Sequence, residues 1–222
     1  MDNAPGKHVI VIGAGIVGAS LAYHLTTQGA KVTVVEAEGI ASGVTGSSFA
    51  WINSSHGEPD PIAPLRGAAI QEYRRLETQL PGLKIQWTGA LSYGPSSTAS
   101  ANRISRSQIR ELEPNLKYPP QQASYAAEEG ALDAVAATHA LIAGAQANGA
   151  KVLTQTPVLP ADDIPIIGYL PQVGGVYVCV MHPGVTLAAI VGRLASEEIV
   201  GDKACSALNP CRPDRFSKLS EG

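Results

Sequence analysis

The chain has 222 residues, 45% hydrophobic and 16% charged, an ordinary soluble globular balance with length for one generous core or two small ones. A formal net charge of -3 and the lack of any Lys/Arg run exclude a nucleic-acid surface, because such binding needs clustered cations to neutralise phosphates. Three cysteines, Cys179, Cys205 and Cys211, are odd in number and lack CxxC spacing, so reduced thiols in a cytoplasmic protein are expected, with no disulfide framework and no metal site.

The start, "MDNAPGKHVIVIGAGIVGASLA", has Asp2 before its apolar run and glycines within it. It reads neither as a signal peptide nor as a membrane span, and nothing later reaches the ~18 apolar residues a span needs. The stretch "HVIVIGAGIVGASLAYHLTTQGAKVTVVEAE" predicts a strand over 8 to 12, a glycine turn, a helix over 16 to 28 stopped by Gly29, and a second strand over 31 to 35. Gly13, Gly15 and Gly18 open the helix, and Glu36 ends the second strand 21 residues after Gly15. That context makes GxGxxG a dinucleotide fingerprint. Gly13 permits the tight turn, Gly15 lets backbone approach a pyrophosphate, and Gly18 lets helix and strand pack closely. Ala14, Ile16 and Val17 contribute backbone at the helix N-terminus, where free N-H groups and the dipole favour phosphate. Glu36, followed by Ala37, accepts hydrogen bonds from an adenosine ribose and repels the extra phosphate of NADP. The motif alone does not separate FAD from NAD.

The next segment, "GIASGVTGSSFAWIN", is rich in small hydroxyl residues, and Ser42, Thr45, Ser47 and Ser48 can donate to phosphate or ribitol oxygens from a loop beside the first. Here the sequence resembles the FAD-dependent D-amino-acid oxidase superfamily, the branch of glycine oxidase, sarcosine oxidase and D-amino-acid dehydrogenases. The resemblance implies a Rossmann-like α/β fold, a parallel sheet with flanking helices, in which this loop wraps the flavin side of FAD. Further on, "DPIAPLRGAAIQEYRRLETQLPG" carries Ile62, Leu65, Ala69, Tyr73, Leu76 and Leu80 at helical spacing, with Arg66, Glu72, Arg74, Arg75 and Glu77 on other faces. "IQWTGALSYG" reads as a short strand pair, and "SRSQIRELEP" as a serine-capped short helix stopped before Pro114. Residues 84 to 130 resemble the family's excursion toward its substrate domain.

"EEGALDAVAATHALIAGAQANGAKVLTQTPV" predicts a crossover helix ended by Gly149 and a strand over 151 to 155. His139 in that helix reads as a surface or core histidine rather than a catalyst. The resemblance places Val158 where backbone meets the adenine. After a proline-bracketed join, Pro157 to Pro160, an extended surface connection is expected. It leads to "GVYVCV", a strand, and then to a helix beginning "GVTL". This tail resembles the family's C-terminal FAD segment, with backbone at Gly184, Val185, Thr186 and Leu187 facing the flavin N1 and C2 oxygen.

The resemblance therefore runs in two blocks, 1 to 158 and 160 to 216, forming a single truncated FAD-binding domain over 1 to 222. Most of the substrate domain falls between the blocks and is missing, together with a returning strand that flanks the first strand in the family. Two repairs are expected: pairing of strand 176 to 180 with strand 8 to 12, or a second copy or partner chain supplying the edge. The activity implied is oxidation of an amine or amino acid at CH-NH or CH-NH2, with hydride transfer from the carbon to flavin N5. The alternative is a flavin-binding remnant or assembly subunit without amine turnover. FAD is expected to be non-covalent, since the join contains no cysteine. No acid/base pair can be read: His182 is a candidate near the flavin or a turn-packing residue, and Asn53 and His56 border the substrate side or act as loop hydrogen-bonders.

Overall fold

The computed structural model describes residues 8–54, 61–94, 102–156, 165–169, 177–180 and 184–214. Strand β1 (His8–Ile12), helix α1 (Ile16–Thr27) and strand β2 (Lys31–Val35) form the expected βαβ unit. The two strands run parallel from His8 beside Lys31 to Ile12 beside Val35. The turn into α1 passes through Gly13 at φ 96°, and Gly29 at φ 83° ends the helix, both in the left-handed region that side chains disfavour.

The hydroxyl loop leads into β3 (Trp51–Ile52), and α2 (Ala63–Gln79) follows. The excursion contains β4 (Ile85–Gln86), β5 (Ala90–Ser92), β6 (Arg103–Ser105), α3 (Arg106–Leu112), β7 (Gln122–Ala126) and β8 (Gly130–Leu132). The strand pair expected over 85 to 94 is split between two small antiparallel sheets, β3-β8-β4 and β5-β7-β6. Gly89, at φ 74°, turns the chain between them, and its N-H donates to Glu129 O at 2.9 Å rather than closing a hairpin. Ser105 caps α3 as expected, its N-H donating to Gln108 Oε1 at 2.9 Å.

Helix α4 (Ala134–Ala147) starts at Asp133, whose carboxylate accepts the Ala136 N-H at 2.9 Å. It carries the chain across to β9 (Lys151–Leu153), shorter than the expected 151 to 155 and parallel to β2. The main sheet thus has the order β1-β2-β9. His139 lies exposed on α4.

The C-terminal block contains β10 (Ile166–Tyr169), β11 (Tyr177–Val180) and α5 (Gly184–Gly201). Here the expected repair is overturned. Strand β11 pairs antiparallel with β10, and β1 has only β2 beside it among the described residues. The segment "IIGY", not foreseen as a strand, satisfies the β11 backbone locally. A buried carboxylate then ties this hairpin to α5: Glu198 accepts from Tyr177 Oη at 2.6 Å and Arg212 Nη1 at 2.8 Å. The outward face of β1 stays open, with Ile10 and Ile12 63% and 62% exposed, unlike the usual parallel sheet covered on both sides.

The core lies on the other face. Val11, Val32 and Val34 pack with Ala19, Ala22 and Leu25 of α1 and Leu141 and Ile142 of α4. Helix α5 crosses α1 closely: a Cβ at Gly192 would stand 2.2 Å from Ser20 Oγ, and Ser20 Oγ donates to Ala188 O at 2.6 Å. A second cluster joins Leu65 and Ala69 of α2, Ile167 of β10 and Leu187, Ile190 and Leu194 of α5. These contacts lock the C-terminal block to the N-terminal one.

Candidate cofactor site

Two helix N-termini make up the candidate site. At the first, Gly13 N-H continues the ladder to Val35 O at 2.7 Å and Gly15 stands at the N-cap of α1 with no side-chain cap. A Cβ at Gly18 would lie 1.9 Å from Gly13 O, and one at Gly15 would meet Thr45 Oγ1 at 3.0 Å. Two donors of this turn hold side-chain oxygens: Ala14 N-H donates to Glu36 Oε2 at 2.7 Å, and Ile16 N-H to Thr45 Oγ1 at 3.1 Å. Glu36 also accepts the Glu38 N-H at 2.9 Å. Ala14 and Ile16 are buried, while Val17 and Ala37 are half-buried.

The hydroxyl loop is bound to the glycine turn by Ala41 N-H donating to Ala14 O at 3.0 Å. Ala41 (φ 62°) and Ala50 (φ 54°) hold backbone conformations costly for a non-glycine residue. Thr45 meets the glycine turn through its Oγ1, which accepts the Ile16 N-H. Ser42 and Ser47 are exposed on the loop, and Ser48 Oγ accepts the Ala50 N-H at 3.0 Å. Val158 lies outside the described residues, but Thr156, two residues earlier, donates its N-H to Glu36 O at 2.8 Å.

At the second N-terminus, Gly184 and Val185 are half-buried and Thr186 and Leu187 buried. Thr186 Oγ1 lies 3.1 Å from Trp51 O and 3.0 Å from Asn53 Oδ1, so one proton serves two acceptors. Arg66 Nη1 donates to that same Asn53 oxygen at 2.6 Å. Tyr73 Oη donates to Val185 O, and burial holds its phenol well above the usual range. Below the loop, buried Glu129 accepts Trp51 Nε1 at 2.8 Å, Ser54 N-H at 2.7 Å and Ser54 Oγ at 2.6 Å. Asn53 is thus a buried structural partner of α5. His182 and His56 lie outside the described residues.

Sequence reasoning missed Arg66, Tyr73 and Glu129 as parts of this region. Arg66 had a signal: Ala69, Ile70 and Tyr73, three, four and seven residues on, are all buried, which puts the arginine on the apolar face of α2. Glu129 had none, since its burial depends on a strand contributed from 51 and 52.

The matches to known proteins follow this geometry. The family model described as DAO, FAD dependent oxidoreductase, matches residues 8–163. The chain belongs to that family. It is 28% identical to the glycine oxidase of Bacillus licheniformis over 169 residues, 68% of this chain and 46% of that protein. It is 28% identical to the monomeric sarcosine oxidase of Arthrobacter sp. (strain TE1826) over 168 residues, 68% of this chain and 43% of that protein. The chain spans about half the length of the curated relatives it matches. Among solved structures, glycine oxidase from Geobacillus kaustophilus superposes with a TM-score of 0.77 at 13% identity, covering 93% of this chain and 98% of that one. Glycine oxidase from Bacillus cereus ATCC 14579 gives 0.60 at 21%, covering 75% and 50%.

DAO-family oxidoreductases and the glycine and sarcosine oxidases matched here depend on FAD. The residues of this chain fit that dinucleotide. The Ala14 and Ile16 donors already bind oxygen atoms, and at Gly18 the close approach of α1 to the turn leaves no room for a side chain. Among the described residues, no helix is long and apolar enough to cross a membrane, and no group of three His, Cys, Asp or Glu is arranged to hold a metal.

Proposed function

We propose that this chain binds FAD non-covalently and oxidises the C-N bond of a small amine or amino acid, at a CH-NH or CH-NH2 group. The observation that carries the proposal is the pair of backbone N-H donors at the glycine turn, on Ala14 and on Ile16 at the start of α1, holding the oxygens of Glu36 and Thr45 in a chain that belongs to the DAO family. The Gly13–Gly18 turn would hold the pyrophosphate, and Glu36 would take the ribose, with Ala37, Ser42, Thr45, Ser47 and Ser48 along the loop and Val158 at the adenine end. Backbone at Gly184, Val185, Thr186 and Leu187 presents the positive end of α5 to the flavin. When bound, FAD would supply the acceptor for the hydride lost from the carbon that bears the nitrogen, leaving an imine. The protein's part is to orient the substrate and exclude water.

Non-covalent binding agrees with the three cysteines: all are free thiols, and burial pushes the Cys179 thiol up to about 12, away from nucleophilic thiolate. Free thiols also suit a cytoplasmic setting. The Geobacillus superposition over 93% of this chain supports one FAD-binding domain built from 1–158 and 160–216, with 84–130 as its excursion. Among the described residues β1 has only β2 beside it, an edge that suits a second copy or a partner chain.

A second reading, a flavin-binding subunit without amine turnover, draws on the coverage of less than half of each curated relative. Anaerobic mixing of the FAD-loaded protein with secondary amines and D-amino acids separates the two. Bleaching of the yellow colour by one of them supports the oxidase. A yellow protein that none of them bleaches leaves the subunit reading in its place.

A further inference from the structure

Phe49 is an aromatic side chain left 83% exposed in the middle of the cofactor region. Single exposed hydrophobics are common and by themselves need no explanation. Phe49 differs in that the chain on both sides of it is fixed, and to two different helix ends. Four residues before it, Thr45 Oγ1 accepts the Ile16 N-H at the start of α1. Two residues after it, Trp51 O accepts from Thr186 Oγ1 in the first turn of α5. The reach of an extended chain therefore keeps the Phe49 Cα within about 14 Å of that of Thr45 and about 7 Å of that of Trp51. The backbone beside the ring is held as well. Ser48 Oγ accepts the Ala50 N-H at 3.0 Å, and buried Ala50 takes a φ of 54°, a costly conformation for a residue with a Cβ. Trp51, whose ring lies 6.4 Å from that of Phe49, is pinned through Nε1 to buried Glu129 at 2.8 Å. A strained turn and an anchored neighbour thus keep an apolar plane in water between two helix N-termini.

We propose that Phe49 packs against the flavin ring of FAD and covers it from water. This contact rests on the reading that the glycine turn holds the pyrophosphate and the first turn of α5 faces the flavin. The shorter tether of Phe49 runs to α5, which is the flavin end under that reading. A planar aromatic side chain suits a planar ring, because it covers a large apolar area while losing little rotamer freedom.

The test compares FAD with ADP, which carries a pyrophosphate and adenosine but no flavin, by titration of the apo protein. Phe49→Ala is expected to weaken FAD about tenfold and to leave ADP within about twofold. It should leave the urea midpoint of the apo protein in place and make the fluorescence of bound flavin more open to quenching by iodide. Phe49→Tyr keeps the ring and should hold the FAD Kd within about threefold of wild type. Tyr118→Ala, at a residue 90% exposed outside the site, is the control and should change neither ligand. If Phe49→Ala does not fold, Phe49→Leu, apolar but not planar, carries the same expectations. FAD affinity and iodide quenching that both stay at the wild-type level overturn the contact even though FAD is bound. FAD and ADP weakened by the same factor also overturn it, because the residue then only shapes the loop. Where ADP binds too weakly to measure, iodide quenching decides. A wild-type chain that takes up no FAD overturns the underlying reading and the contact with it.

Discussion

Replacing Gly18 with alanine sets two effects of opposite sign against each other. Within a helix the exchange is expected to stabilise by about 1 kcal/mol, because glycine loses more backbone freedom on folding. At this position, however, the new Cβ stands 1.9 Å from Gly13 O, 3.1 Å from Gly13 C and 3.3 Å from Val11 Cγ1. The obstacle is backbone, which cannot swing aside, so α1 must withdraw from the turn by more than about 1 Å to restore ordinary contact. Overpacking of this kind costs roughly 1 to 3 kcal/mol. The shift also loosens the Ala14 and Ile16 hydrogen bonds, each worth about 1 kcal/mol. The net expectation is a loss of roughly 1 to 3 kcal/mol, or several degrees in Tm for a chain of this size. FAD binding is expected to fall beyond detection at micromolar cofactor. Urea unfolding of the apo protein and FAD titration give the two numbers. Gly67→Ala in α2 is the control: its Cβ meets nothing within 4 Å, so the propensity gain of about 1 kcal/mol should appear unopposed. A Gly18→Ala protein as stable as Gly67→Ala, or one that binds FAD like wild type, refutes the close-packing argument.

Acid sensitivity should centre on His24, which burial first of all pulls from 6.5 down to about 4, with Glu72 opposing and Arg75 and Arg193 reinforcing the shift. The folded chain then binds fewer protons than the unfolded one between these values, so stability is full above pH 6.5 and declines through pH 4, by roughly 3 kcal/mol in all. Urea midpoints at pH 7.5 and 4.5 measure it, and His24→Gln should flatten that part of the slope. Glu129→Ala strips the acceptor from Trp51 Nε1 and both Ser54 donors. A loss of roughly 2 to 4 kcal/mol in urea unfolding is expected, with a shift in Trp51 fluorescence. Arg212→Met leaves the buried Glu198 carboxylate without its cation and should cost roughly 3 to 5 kcal/mol. Faster proteolysis of the segment after α5 would report it.

The βαβ unit and its glycine turn were legible almost to the residue, because each rests on local signals: β-branched runs, glycines at φ 96° and 83°, and an acidic strand end. The same holds for the Ser105 cap and the crossover helix starting at Asp133. Pairing was less legible. Whether residues 85–86 and 90–92 face each other or separate strands depends on which distant segments pair with them, and β8 and β7 take one each. The partner of β11 was not legible, because "IIGY" is a four-residue apolar run containing Gly168, too short for its periodicity to mark a strand. Within the site, Glu36 and Thr45 reach the glycine turn by accepting the Ala14 and Ile16 N-H groups, and Asn53 accepts from Thr186 of α5. Side-chain burial of Glu129 is set by neighbours remote in sequence, 51 and 54, so its residue type alone argued for the surface.

Flavin stoichiometry after reconstitution tests the central claim most directly. The purified chain is mixed with excess FAD, passed through a desalting column and precipitated with acid, and the flavin in the supernatant is quantified by absorbance. One FAD per chain, yellow before precipitation and fully released by acid, is the result expected for a non-covalent site built from the Gly13–Gly18 turn and α5. A colourless protein after desalting, or flavin that stays with the precipitate, would contradict it.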